Sequence, residues 1–271
     1  MTGPDYRGKA LFDQNRLLDV VDIEATVLAE TVDVVRNELR IPHATGLTVG
    51  ETARHVGSVH RMTLEWIRTG DTPETWQREP GPLQSLRDYV ASGARALVDE
   101  LQRHDPGEPC STWWAADSTY GFWRRRMAHE TTVHRIDVQA AASGHVDDVA
   151  EDFAVDGVDE VLTLWFGHRL MVQGVVGARD GTVAVRTRDR AWLTRVTTGG
   201  LAAWRLPPQD VPEIRLAAGP RGEKKVDAVV SGPPSLLYRW LWGRLPPAAA
   251  SWEGDDNAVH QLWALLRVAT R

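Results

Sequence analysis

The pattern of apolar and polar positions divides the chain into a first half of helical period and a second half of mixed period. Residues 11–39 predict a long helix, because Leu17, Val20, Val21, Ala25 and Leu28 keep to one side and acidic residues to the other. Pro42 and Gly46 end it. Residues 48–69 predict a second helix, opened by Thr48 and Glu51 at the spacing of a capping box. Its stripe His55, Val59, Met62, Trp66 reads as a face turned toward the core. Residues 83–104 predict a third helix, with Leu86, Tyr89, Val90, Leu97 and Leu101 inward. A connection rich in Gly and Pro then carries Cys110 and the pair Trp113 and Trp114, read either as a cover for the bundle end or as a pocket wall. Residues 123–142 predict a fourth helix, free of Gly and Pro and ending near Gly144.

Beyond Gly144 the period changes. Residues 149–169 predict one more helix, followed by short β-like runs at 182–187, 191–196, 213–216 and 226–230. Two amphipathic helices, 234–243 and 255–268, close the chain, and residues 1–10 read as a loose lead-in. The expected fold class is α+β in two domains, a four-helix bundle over residues 1–146 and an α+β domain over 147–271.

Composition narrows the function classes. At 42% hydrophobic and 25% charged, the 271 residues have the make-up of a soluble globular protein. A formal net charge of −6 without a basic block argues against nucleic acid as a partner. The single cysteine excludes an intrachain disulfide and suits a reducing compartment. No apolar run suits a signal peptide or a membrane span, so a cytoplasmic location is expected. Only Lys9, Lys224 and Lys225 among 31 basic residues are lysines, a bias that suggests a GC-rich genome.

The candidate chemistry sits on the fourth helix. Trp123, Met127, Glu130, His134, Asp137 and Ala141 advance by four and three residues in turn and form one stripe. Carboxylates on a core-facing stripe are costly unless something positive meets them. Glu130 and His134 point the same way, as two metal ligands on one helix would, and His55 is the best third. Three protein ligands leave positions open, the mark of a catalytic rather than a structural site. Zinc is the default ion for two imidazoles and a carboxylate, with nickel, manganese and iron open. The alternative reading is a solvated Glu–His pair with His55 a hydrogen-bonded core residue. Asp137 is expected to orient a ligand, and His129 to hydrogen-bond or line the pocket. The zinc-protease pattern H-E-x-x-H fails, because residue 133 is Val.

Two stretches, R-M-A-H-E-T-T-V-H-R-I-D and T-V-G-E-T-A-R-H-V-G-S-V-H-R, resemble the mycothiol-dependent maleylpyruvate isomerase family, part of the wider DinB-like metal-binding bundles. V-S-G-P-P-S-L-L-Y-R-W-L-W-G-R-L resembles that family's sterol-carrier-like C-terminal domain. The resemblance implies a divalent metal, typically zinc, at residues matching His55, Glu130 and His134. It also implies mycothiol, a low-molecular-weight thiol of actinobacteria, as co-substrate, and a basic residue from the C-terminal domain, matched here to Arg244. Arg244 reads equally as a surface arginine after a helix end.

The expected activity is that of a metal-dependent transferase or isomerase. A metal-bound thiolate attacks a small electrophile, giving either S-transfer or cis–trans isomerisation of the maleylpyruvate type. A hydrolase using metal-bound water, with Glu51 or Asp137 as base, and a non-catalytic metal- or lipid-binding module are the alternatives. A monomer or small homo-oligomer is expected.

Overall fold

The computed structural model describes residues 9–42, 46–216 and 225–270, so most of the lead-in lies outside it. Contacts divide the chain into two compact units. The first is Phe12–Asp147; residues 9–11 join the second, which begins at Asp148. Residues 9–11, expected with the first domain, fall in the second unit. Among the described residues, no helix is long and apolar enough to cross a membrane.

The first unit is a four-helix bundle of α1 (Gln14–Val34), α2 (Val49–Thr69), α3 (Leu86–Gln102) and α4 (Tyr120–Ser143). Helix α1 packs on α3 and α4, and α2 packs on the same two, so α1 and α2 lie diagonally across the core. Side chains with free hydrogen-bonding groups start three of the helices. Asp13 accepts from the amides of Asn15 and Arg16, both at 3.0 Å. Ser85 accepts from Asp88 at 3.0 Å. The capping box of α2 is complete: Glu51 Oε2 accepts from Thr48 N at 2.7 Å and Thr48 Oγ1 from Glu51 N at 3.3 Å. These caps explain why α1 and α3 start later than their apolar patterns suggest; Leu83 precedes the cap of α3 and is fully exposed.

Helix α4 is buried along almost its whole length. Arg124, Arg125, Arg126, His129, His134, Arg135 and Asp137 are all buried, together with the apolar residues between them. Two arginines show how such a helix is tolerated. Arg124 donates to the carbonyls of Leu101 (3.0 Å) and His104 (2.7 Å), which end α3, and to Asn15 Oδ1 (3.1 Å). Arg135 grips Glu24 of α1 with two nitrogens and also donates to Gln139 Oε1 and Asp147 O, both at 2.9 Å. Each guanidinium therefore fastens α4 to a neighbour through several of its own donors.

In the second unit α5 (Glu151–Glu160) runs without a break into π-helical turns, Val161–Arg169, and a last α-turn, α6 (Leu170–Val172). A five-stranded mixed sheet follows, in the order β3-β2-β1-β6-β7. Its strands are β1 (Gly181–Arg186), β2 (Ala191–Thr197), β3 (Gly200–Arg205), β6 (Ala228–Ser231) and β7 (Ser251–Gly254). Strands β1 and β6 are parallel and the other pairs antiparallel. A separate two-stranded ribbon joins β4 (Arg215–Leu216) and β5 (Lys225–Val226), and α7 (Pro234–Leu241) and α8 (Asp256–Ala269) complete the unit. Asp159 of α5, buried, accepts from Trp192 Nε1 at 2.7 Å and from Arg205 at 2.8 and 2.9 Å, tying the helix to β2 and β3. The sequence reading missed β3, β7 and the π-helical turns. Strand β3 is Gly-Leu-Ala-Ala-Trp-Arg, whose paired alanines carry no strand preference of their own.

One glycine fixes how close α2 and α3 approach. A Cβ on Gly57 would lie 2.5 Å from the Tyr89 ring. That ring cannot swing away freely, because its hydroxyl donates to Gln77 O at 2.8 Å and the Arg61 guanidinium covers it at 4.0 Å. Gly57→Ala is therefore expected to cost about 1–3 kcal/mol through overpacking. A urea titration should show a lower midpoint at unchanged slope; a wild-type midpoint would mean that Tyr89 moves aside.

Candidate metal centre

Helices α2 and α4 run antiparallel, and the pairs along their seam fix its register. Trp66 lies 5.5 Å from Trp123, ring to ring. Thr63 Oγ1 donates to Met127 Sδ at 3.3 Å. His60 Nε2 lies 2.9 Å from Thr131 Oγ1. The next step along the seam brings His55 to Glu130 and His134. His55 Nε2 is 2.9 Å and His134 Nε2 3.3 Å from the same oxygen, Glu130 Oε1. The two imidazoles meet edge to face with centroids 4.9 Å apart. One ligand atom from each of the three residues lies within 4.8 Å of the others, the geometry of a set able to hold one metal ion.

Two of the three donors, His134 and Glu130, are anchored from behind. His134 Nδ1 lies 2.9 Å from Asp137 Oδ2. Arg126 Nη2 donates to Glu130 Oε2 at 3.1 Å. A carboxylate on the far nitrogen of a histidine fixes its tautomer and aims the near nitrogen, the usual support of a metal-binding histidine. The donor set thus fits a divalent ion: two imidazole nitrogens and one carboxylate oxygen converge, and the outer atoms of His134 and Glu130 are already occupied.

The charges agree with this grouping. Burial pushes the Glu130 carboxyl upward, but His134, hydrogen bonds from His134 and His55, and Arg126 together hold it well below its usual range. Burial likewise pulls the His134 imidazole down, yet the charge of Glu130 and the bond to Asp137 outweigh it and raise His134 to about 9. His60 has no such neighbour in contact, and burial lowers it to about 4. Since Thr131 Oγ1 donates its own hydrogen to Met127 O at 2.7 Å, it accepts from His60, which is therefore the neutral Nε2–H tautomer.

The stripe of α2 differs from its expected burial. His55 has a side chain 44% exposed, and Val59, Met62 and Trp66 are only half-buried. The core face of α2 lies beside it, on Ala53, Val56, His60, Thr63 and Ile67. The correction suits the site: His134 and Glu130 are sheltered, and His55 opens one side to solvent.

The description "Mycothiol maleylpyruvate isomerase N-terminal domain" fits residues 22–139, and "MDMPI C-terminal domain" fits residues 152–261. The chain belongs to the mycothiol-dependent maleylpyruvate isomerase family. Two solved structures share its fold, both of the mycothiol-dependent maleylpyruvate isomerase and one of them a mutant. The mutant has a TM-score of 0.55 at 16% identity, covering 90% of this chain and 95% of that one. The other has a TM-score of 0.51 at 16% identity, covering 86% and 90%. No functionally curated protein matches the sequence.

The remaining residues singled out in this maleylpyruvate isomerase family member fall in different places. His129 is fully buried and is not one of the converging donors. Trp114 is buried and Trp113 half-buried; both rings pack on Phe122 at the start of α4, at 6.3 and 5.2 Å. Glu51 is spent on the cap of α2, and its hydrogen bonds with Thr48 hold its carboxyl low, which suits a fixed anion better than a base. Cys110 is buried, and burial pushes its thiol up, so it is a poor nucleophile. Arg244 belongs to the second unit and is buried rather than on the surface; its Nη1 donates to Trp242 O at 2.5 Å and Thr270 O at 3.4 Å. A cleft of about 810 Å³ in that unit, with Arg186, Arg188 and Arg190 in its wall, contains none of the candidate site residues. The sequence reading missed Arg126. Its signal was present, since residue 126 precedes Glu130 by one turn.

Two outcomes follow for this centre. Asp137→Asn is expected to weaken metal binding about 10- to 100-fold in a chelator competition; equal affinity would remove Asp137 from the support of His134. His60 supplies a pH signature. Its folded value lies below the unfolded one near 6.5, so its contribution is present above that pH and is lost as pH falls toward 4. Between pH 7 and pH 5, wild type should lose about 2 kcal/mol more unfolding free energy than His60→Gln, measured in urea with chelator present.

Proposed function

We propose that this chain is a mycothiol-dependent isomerase whose ion, zinc by donor type, is held by His55, Glu130 and His134. The observation that supports this reading is the meeting of three donors from two helices, with His134 and Glu130 anchored from behind, in a member of this family. An ion bound there would keep a thiol in its reactive thiolate form at neutral pH.

The protein's own residues do the rest. Asp137 holds His134 in one orientation, and Arg126 does the same for Glu130. The half-exposed residues Val59, Met62 and Trp66 continue from His55 along α2 and offer an apolar surface beside the open side. A substrate double bond conjugated to a carbonyl can accept the thiolate at one carbon. The former double bond is then single and rotates; when the thiolate leaves, the double bond re-forms in the other geometry. The thiol is regenerated and no atom is gained or lost. Retention of the thiol would instead give a transferase, and a thiol titre separates the two. The part of Arg244, a hold on a substrate carboxylate, rests on the family resemblance.

Purified protein with zinc, mycothiol and maleylpyruvate should consume maleylpyruvate while the thiol titre stays constant. His134→Ala should lower the rate at least 100-fold. Turnover at the same rate without thiol would favour the hydrolase, and an undiminished rate in His134→Ala would overturn the metal-centred reading.

A further inference from the structure

We infer that Arg126 sets the metal preference of this site by reserving one oxygen of Glu130. The inference rests on the metal-centre reading above. Arg126 is 3% exposed by side chain, and its Nη2 donates to Glu130 Oε2 at 3.1 Å. Both residues lie on the buried α4 one turn apart, so the pair is held by the helix itself. Only Oε1 faces His55 Nε2 and His134 Nε2. Glu130 therefore enters the site as a one-oxygen donor, and the protein offers three donor atoms rather than four.

That restriction has chemical consequences. Zinc accepts four-coordinate sites with few donors, whereas manganese prefers six ligands rich in oxygen. A carboxylate able to present both oxygens narrows the difference. The guanidinium also adds a positive charge beside the site, which opposes any cation equally to first order. Loss of that charge thus raises both affinities together, while release of Oε2 acts on their ratio. The ratio of zinc to manganese affinity is therefore the quantity that isolates the role of Arg126.

The test uses the full-length protein, stripped with chelator and titrated separately with zinc and manganese against competing chelators. Arg126→Met should lower the zinc-to-manganese affinity ratio at least 10-fold. Arg126→Lys, which keeps the charge but lacks the planar fork, should lower it by a smaller factor. It also supplies the answer if the Met variant does not fold, as judged by circular dichroism. A ratio within twofold of wild type in the folded variants overturns the inference. Glu130→Ala separates this failure from failure of the underlying reading: if wild type binds neither ion more tightly than Glu130→Ala does, the metal centre itself is wrong.

Discussion

The burial of α4 is the constraint from which the rest of the bundle follows. A helix carrying Arg124, Arg126, His134, Arg135 and Asp137 can sit inside a protein only if each charge meets a partner. The chain answers locally and across the bundle. Arg124 takes the end carbonyls of α3, and Arg135 takes Glu24 of α1. Arg126 takes one oxygen of Glu130, and Asp137 takes one nitrogen of His134. What remains is one oxygen and one nitrogen turned toward α2, where His55 completes the group. The candidate site is the part of this charge network that the helix does not close by itself.

This arrangement makes stability and chemistry share one seam. Trp66–Trp123, Thr63–Met127 and His60–Thr131 fix the register in which His55 reaches Glu130. A slip along the seam would separate the donors before it exposed much apolar surface. The neutral His60 and the raised His134 lie on the same seam yet shift in opposite senses, because burial dominates at His60 whereas Glu130 and Asp137 outweigh it at His134.

The grouping of the candidate residues was legible in the sequence because helical spacing is regular and the chemistry of these residues is conspicuous. Glu130, His134 and Asp137 line up by count alone, and His55 was the histidine best placed on another helix. The capping box of α2 was legible for the same reason. The burial of α2 was not. Its two stripes, one with Val59 and Met62 and one with Val56 and Ile67, are both apolar enough to face a core, and only packing against Tyr89 and α4 chooses between them. Nor was the burial of the arginines in α4 legible, since a run of Arg124, Arg125 and Arg126 has the composition of a solvated surface. Arg126 was passed over because its role depends on which oxygen of Glu130 it reaches. In the second unit, strand β3 depended on pairing with β2 rather than on any preference of Ala202 and Ala203.

The π-helical turns from Val161 to Arg169 have a consequence for how this unit tolerates change in length. Their hydrogen bonds reach one residue further than those of an α-helix, so the segment carries more residues per turn than the usual 3.6. Gly167 sits within it, and a Cβ there would lie 3.1 Å from the Ala203 amide of β3, which marks how closely helix and strand approach. A residue added to a regular α-helix would rotate one end by about 100° relative to the other, whereas the wider turns take up less rotation per residue and so absorb an extra residue. The widened turns therefore act as a phase adjustment: the chain keeps one residue more than a regular helix would use, and with it the close fit of helix to sheet.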